Sequence, residues 1–283
     1  MRHGRRWSVG LGVLLLGGSA LVSCGDPAVA DRPPSPPPPA TAGRFDVAPT
    51  GSGVTLGGIL FRPEAGGAPL PALVVLHGWQ PAGTNGAALV EARARRYSEQ
   101  GYVALALSMR GWPPSGGADD CGLQQPDDVS RAVDWLAALP NVDPARVGVV
   151  GFSQGGQVAL LAGARGARVR AIVAYYPVTD VARWKETTTN PDIPGYVTAV
   201  CEPTAPRSPV RHAATITAPV LLVHGELDTR VPTEQSLRMQ EALGSAGRPA
   251  RLLLVPDAAH GFTADQEAVA RPVVDEFLAT ELR

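Results

Sequence analysis

The chain has 283 residues, of which 45% are hydrophobic and 18% charged, with a formal net charge of -1. That much apolar material can bury a large core, which excludes a chain disordered throughout. The near-zero charge, with no basic stripe, gives no footprint for nucleic acid.

Residues 1–23 open with Arg2, Arg5 and Arg6 and continue through a nearly unbroken apolar or small run from Val9 to Val22, the layout of an export signal. About 14 apolar residues are few for a membrane span. The segment ends in Leu21-Val22-Ser23-Cys24, which resembles the bacterial lipoprotein signal, so Cys24 is the expected lipidation site; a conventionally cleaved signal and an uncleaved anchor are the alternatives. Residues 24–43 follow as a Pro-rich tether with Pro33, Pro34 and Pro36 to Pro39. Such a stretch favours an extended polyproline conformation, reaching up to roughly 60 Å. The expected location is the bacterial cell envelope, with membrane contact only through the N-terminal lipid; a secreted form is the alternative. A single folded domain is expected over 44–283.

Between Arg44 and Pro63, apolar residues alternate imperfectly among glycines, predicting an antiparallel hairpin at a sheet edge. Then the pattern changes. Short apolar runs at Ala72–Leu76, Val103–Leu107, Val147–Val150, Val169–Ala174, Pro219–Val223 and Arg251–Val255 alternate with helical stretches, predicting buried parallel strands. Together these give an α/β fold with a mostly parallel sheet of about eight strands and helices on both faces. One helix starts at Pro126-Asp127-Asp128, carries Val129, Ala132, Val133, Leu136 and Leu139 as its apolar face, and stops at Pro140; a C-terminal one carries Val269, Val273, Val274, Phe277 and Leu278 as its stripe. Residues 177–218, after the sixth strand, break the rhythm with many prolines and predict a lid or pocket-forming insertion. Setting Cys24 aside leaves Cys121 and Cys201 as a disulfide pair expected in an oxidising compartment, with two buried free thiols as the alternative.

The chemistry concentrates at Val147–Leu160, where Gly151-Phe152-Ser153-Gln154-Gly155 places a serine at a strand-to-helix junction. Glycines there relieve a strained turn that pushes the Ser153 hydroxyl into the open. A serine hydroxyl needs a base to take its proton and an acid to orient that base. Asp228 follows the strand Val220–Val223, and His260 follows the strand Leu252–Val255. All three residues lie just past the C-terminal ends of strands, where such sheets assemble sites. Glu226 is a rival for the acid, and Asp257 reads as a loop residue.

Val142-Asp143-Pro144-Ala145-Arg146-Val147-Gly148 leading into Gly151-Phe152-Ser153-Gln154-Gly155-Gly156, His224-Gly225-Glu226 with Asp228-Thr229-Arg230-Val231-Pro232, and His260-Gly261-Phe262 make a combined signature. From about residue 53 to its end the chain resembles the α/β-hydrolases, among them the dienelactone hydrolase-like and prolyl oligopeptidase-like serine hydrolases. The resemblance implies Ser153 as nucleophile, Asp228 as orienting acid and His260 as general base. Dienelactone hydrolases proper use cysteine as nucleophile, and the peptidases usually carry tyrosine where this chain has Gln154. His77-Gly78-Trp79 resembles the oxyanion segment of the superfamily, so the backbone N–H groups of Trp79 and Gln154 are the expected donors.

His77 and His224 are expected as hydrogen-bonding struts. Trp79, Arg110, Trp112 and Trp184 are nominated as substrate contacts, whereas Tyr175 and Tyr176 read as buried aromatics. No metal-ligand spacing, phosphate-cradling loop or cofactor motif is evident. The expected activity is a carboxylesterase-like serine hydrolase acting through an acyl-enzyme on a small-molecule ester. A small serine peptidase or amidase acting on short peptides, and a non-catalytic envelope lipoprotein with a hydrolase fold, are the alternatives. Oligomeric state is left open.

Overall fold

The computed structural model describes residues 41–47, 53–63, 68–248 and 250–283, all within one compact unit, Pro37–Arg283. The export segment, Cys24 and the tether up to residue 40 lie outside the described residues.

Eight strands form one sheet in the order β1-β2-β4-β3-β5-β6-β7-β8. Strands β1 (Thr41–Val47) and β2 (Leu56–Arg62) are the expected antiparallel hairpin, and β1 starts slightly ahead of the expected domain boundary at 44. Strand β2 runs antiparallel to β4 (Val103–Leu107), and from β4 through β3 (Leu70–Leu76), β5 (Val142–Phe152), β6 (Ala171–Tyr175), β7 (Val220–Gly225) and β8 (Arg251–Val255) every pairing is parallel. Strand β5 is longer than the apolar run Val147–Val150 predicts. Its first half, around Asp143 and Pro144, is partly exposed and enters through a shift in register beside β3.

Side chains two apart along a strand share a face, and that parity divides the core. Ala72, Val74 and Leu76 of β3 point to one face, covered by α2 (Gln125–Ala137), α3 (Gln154–Ala164) and α6 (Glu234–Ser245). Leu73 and Val75 point to the other, covered by α1 (Gly86–Glu99) and α7 (Ala264–Leu282). On α7 the buried stripe runs through Ala270, Val274, Phe277 and Leu278, and Val269, expected inside, is 51% exposed. The α7 stripe is narrower than the apolar residues imply because only one flank of the helix meets the sheet.

The insertion after β6 is a run of short pieces, with α4 (Val181–Thr187), α5 (Ile193–Tyr196), a π-turn at Val197–Cys201 and two 3-10 turns, Ala205–Arg207 and Pro209–Thr215. They gather around their own small core of Val178, Val181, Trp184, Ile193 and Val197, into which Val231 also packs. A disulfide joins Cys121, in the loop before α2, to Cys201, with Cα atoms 5.2 Å apart. The insertion is thereby tied to the C-terminal edge of the sheet.

Candidate active site

Ser153 sits between β5 and α3 with φ 53° and ψ -116°, a conformation that costs a non-glycine residue on the order of 1–3 kcal/mol. The chain turns this sharply because a β-carbon at Gly151 would lie 2.2 Å from the Gly155 oxygen, and one at Gly155 2.5 Å from the His77 oxygen. Only hydrogen fits at either place. The turn is held by the Ser153 N–H, which donates to the Tyr175 carbonyl of the neighbouring strand at 2.9 Å.

His260 arrives from the loop after β8, where Asp257, left-handed at φ 54°, is a turn residue. Its Nδ1 lies 2.7 Å from Asp228 Oδ2 and its Nε2 3.1 Å from Ser153 Oγ. An ionised carboxylate only accepts, so Nδ1 carries the hydrogen and Nε2 is left to accept from the serine hydroxyl. Asp228 is 4% exposed, and its Oδ1 accepts from the N–H groups of Arg230 and Val231 at 3.0 and 2.9 Å. Burial pushes this carboxyl up, but the hydrogens offered by His224, His260 and the Val231 amide outweigh it and hold the group at about 2. Asp228 is therefore ionised at neutral pH. Glu226, the rival acid, is exposed and is not the residue bonded to His260.

The loop after β3 closes over the serine. A β-carbon at Gly78 would lie 3.2 Å from Ser153 Cβ. His77 is fully buried; its Nε2 accepts from the Met109 N–H at 3.0 Å, so Nδ1 bears the hydrogen and donates to the Gly78 carbonyl at 2.8 Å. Burial lowers its pKa to about 4, so the ring stays neutral. With the Gly78 carbonyl pinned, the Trp79 N–H of the same trans peptide points the opposite way. Gln154 is the first residue of α3, whose N-terminus carries partial positive charge beside Ser153.

Ser153 and His260 open onto a cavity of about 440 Å³. Trp79 and Trp184 line it; Arg110 and Trp112, also nominated as substrate contacts, do not. Arg110 is 5% exposed and makes a forked ion pair with Asp128 of α2 at 2.7 and 2.9 Å, plus a bond to Gln124. Trp112 is buried beneath the loop after β3, its indole N–H donating to the Gln80 carbonyl and its ring edge-on to His77. Both hold loops in place.

Tyr176, weighed from the sequence as a pocket residue but read as a buried aromatic, lines the cavity, and so do Tyr196 and Arg93, which sequence reasoning passed over. Tyr176, expected as ordinary core, follows β6 directly with φ 36° and sets its ring 4.7 Å from that of His260; its place at the C-terminal edge of the strand next to β5 was the available signal. Tyr196 packs between Trp79 and Trp184 and donates its hydroxyl to Asp119 at 2.8 Å. Arg93 comes from α1, stacks over Phe152 and pairs with Glu267; nothing in a solvated helix pattern marks such a residue.

A family model described as the prolyl oligopeptidase family matches residues 90–280. The chain is 32% identical over 191 residues to the dipeptidyl-peptidase 5 of Porphyromonas gingivalis, covering 62% of this chain and 28% of that protein. It is 29% identical over 217 residues to a putative carboxymethylenebutenolidase of Escherichia coli O157:H7, covering 72% of each. A solved puromycin-hydrolyzing peptidase of Mycobacterium tuberculosis superposes with a TM-score of 0.70 at 26% identity, over 86% of this chain and 39% of that one. The chain thus spans well under half the length of the two peptidases.

Proposed function

The chain belongs to the prolyl oligopeptidase family of α/β-hydrolase serine hydrolases, and on that premise we propose that it is an exported esterase of the cell envelope, anchored through Cys24, that cleaves small carboxylic esters. The observation that carries the reading is the unbroken line Ser153–His260–Asp228 at the mouth of the cavity. His260 Nε2 takes the serine proton as Oγ attacks the ester carbonyl. Asp228 holds the resulting imidazolium in place, and the oxyanion is received by the N–H groups of Trp79 and Gln154. His260 then protonates the leaving alcohol, and water, deprotonated by the same ring, releases the acid from the acyl-serine.

Ester cleavage is favoured over peptide cleavage by the relative whose coverage is matched on both sides, the putative carboxymethylenebutenolidase. The dipeptidyl-peptidase relative supports a second reading, hydrolysis of short peptides. Steady-state kinetics on p-nitrophenyl esters and aminoacyl-anilides separate the two. The proposal expects the larger kcat/KM on esters; anilides turned over as well as or better than esters would favour the peptidase.

A further inference from the structure

His224 is the remaining histidine at the site, and its surroundings are more specific than a packing role requires. It stands near the end of β7, four residues before Asp228, and is fully buried. Its Nε2 faces two acceptors, the Val231 carbonyl at 2.8 Å and Asp228 Oδ2 at 3.4 Å. Nε2 therefore bears the hydrogen, directed chiefly at Val231 with the carboxylate as the longer branch. Nδ1 is then the acceptor, and takes the hydroxyl hydrogen of Ser236, a buried residue of α6, at 2.7 Å.

These contacts close a circuit around the acid. His224 grips the Val231 carbonyl, while the N–H of Val231 grips Asp228 Oδ1. Oδ2, the oxygen bonded to His260, is the one His224 approaches. We propose that His224, oriented by Ser236, is a positioning residue that fixes the Asp228 carboxylate against His260. The titratable groups facing that carboxylate are His224 from β7, His260 from the loop after β8 and Tyr176 from the end of β6. His224 thus extends the line of hydrogen bonds from Ser153 through His260 and Asp228 to α6. The inference rests on the triad reading given above.

The test uses the full oxidised protein with wild type, His224→Phe, His224→Gln and Ser236→Ala, measuring p-nitrophenyl ester hydrolysis across pH and labelling by a fluorophosphonate. His224→Phe should lower kcat about tenfold to a hundredfold, the scale set by misplacing a reacting group by about 1 Å, with KM little changed and the acidic limb of kcat/KM displaced. His224→Gln, which can still present a donor, should recover most of the loss, and Ser236→Ala should move kcat and the limb in the same direction by less. A folded His224→Phe with wild-type kcat and wild-type acidic limb overturns the inference. Where that variant does not fold, Ser236→Ala with both quantities unchanged overturns it. Failure of the triad reading looks different, because wild-type protein itself would then neither label at Ser153 nor turn over ester.

Discussion

Two histidines near one serine behave in opposite ways because of what each nitrogen meets. His260 has a carboxylate on one side and a hydroxyl on the other, the setting that the proposed general base requires. His77 has a backbone N–H on Nε2, a carbonyl on Nδ1 and no charge close enough to offset its burial. Its folded pKa, about 4 against 6.5, makes a prediction about stability. Between these values the unfolded chain binds a proton the folded one refuses, so stability falls as pH drops from 6.5 towards 4, by on the order of 3 kcal/mol. The depressed pKa of Asp228 adds a loss of the same sign at lower pH, from 3.8 towards 2. Urea midpoints at pH 7 and pH 4.5 check this: wild type should lose much of its stability and His77→Gln distinctly less, whereas equal losses would show that His77 is not the group. Ser153, Asp228 and His260 could be nominated from sequence because each follows a strand-like apolar run in a loop rich in turn residues. Arg110 and Trp112 also follow such a run, yet their side chains turn back beneath the loops. Direction after a strand end depends on partners such as Asp128 and Gln80, far away in sequence.

At the scale of elements, parity and helical spacing made most of the sheet and its covering helices legible, since burial on two faces leaves little choice of residue. The insertion was legible only as an interruption. Its pieces are too short for periodicity to register, and they are held by cross-links instead. The disulfide, the Tyr196 hydroxyl on Asp119, the Arg207 guanidinium on the Asp120 carbonyl and the Trp184 indole on the Arg230 carbonyl attach it to the loop before α2 and to the turn that follows Asp228. Closing a loop across a sequence separation of 80 residues contributes up to about 4.5 kcal/mol in the chain-entropy account. Chemical denaturation of the oxidised protein and of Cys201→Ser should therefore differ by several kcal/mol, together with a higher KM for esters as the cavity wall contributed by Cys121, Ile193 and Tyr196 loosens. Matching midpoints and matching KM values would remove the disulfide from the account.

Over the whole molecule, the parallel sheet does one thing that no local segment can. It carries Ser153, Asp228 and His260, spread over more than a hundred residues, to a single edge, because β5, β7 and β8 all end there. Helices cover both faces of the sheet, and the insertion gives that edge a wall of aromatic side chains, Trp184 and Tyr196. A strained serine, an ionised acid and an imidazole bonded between them are the arrangement that the proposed acyl transfer requires. The most direct measurement is to treat folded full-length protein with a fluorophosphonate and map the adduct by mass spectrometry. The account predicts one adduct, on Ser153, formed at a rate that falls sharply in Asp228→Asn and is absent in Ser153→Ala. Folded, oxidised protein that takes no label, or takes it at another residue, would contradict it.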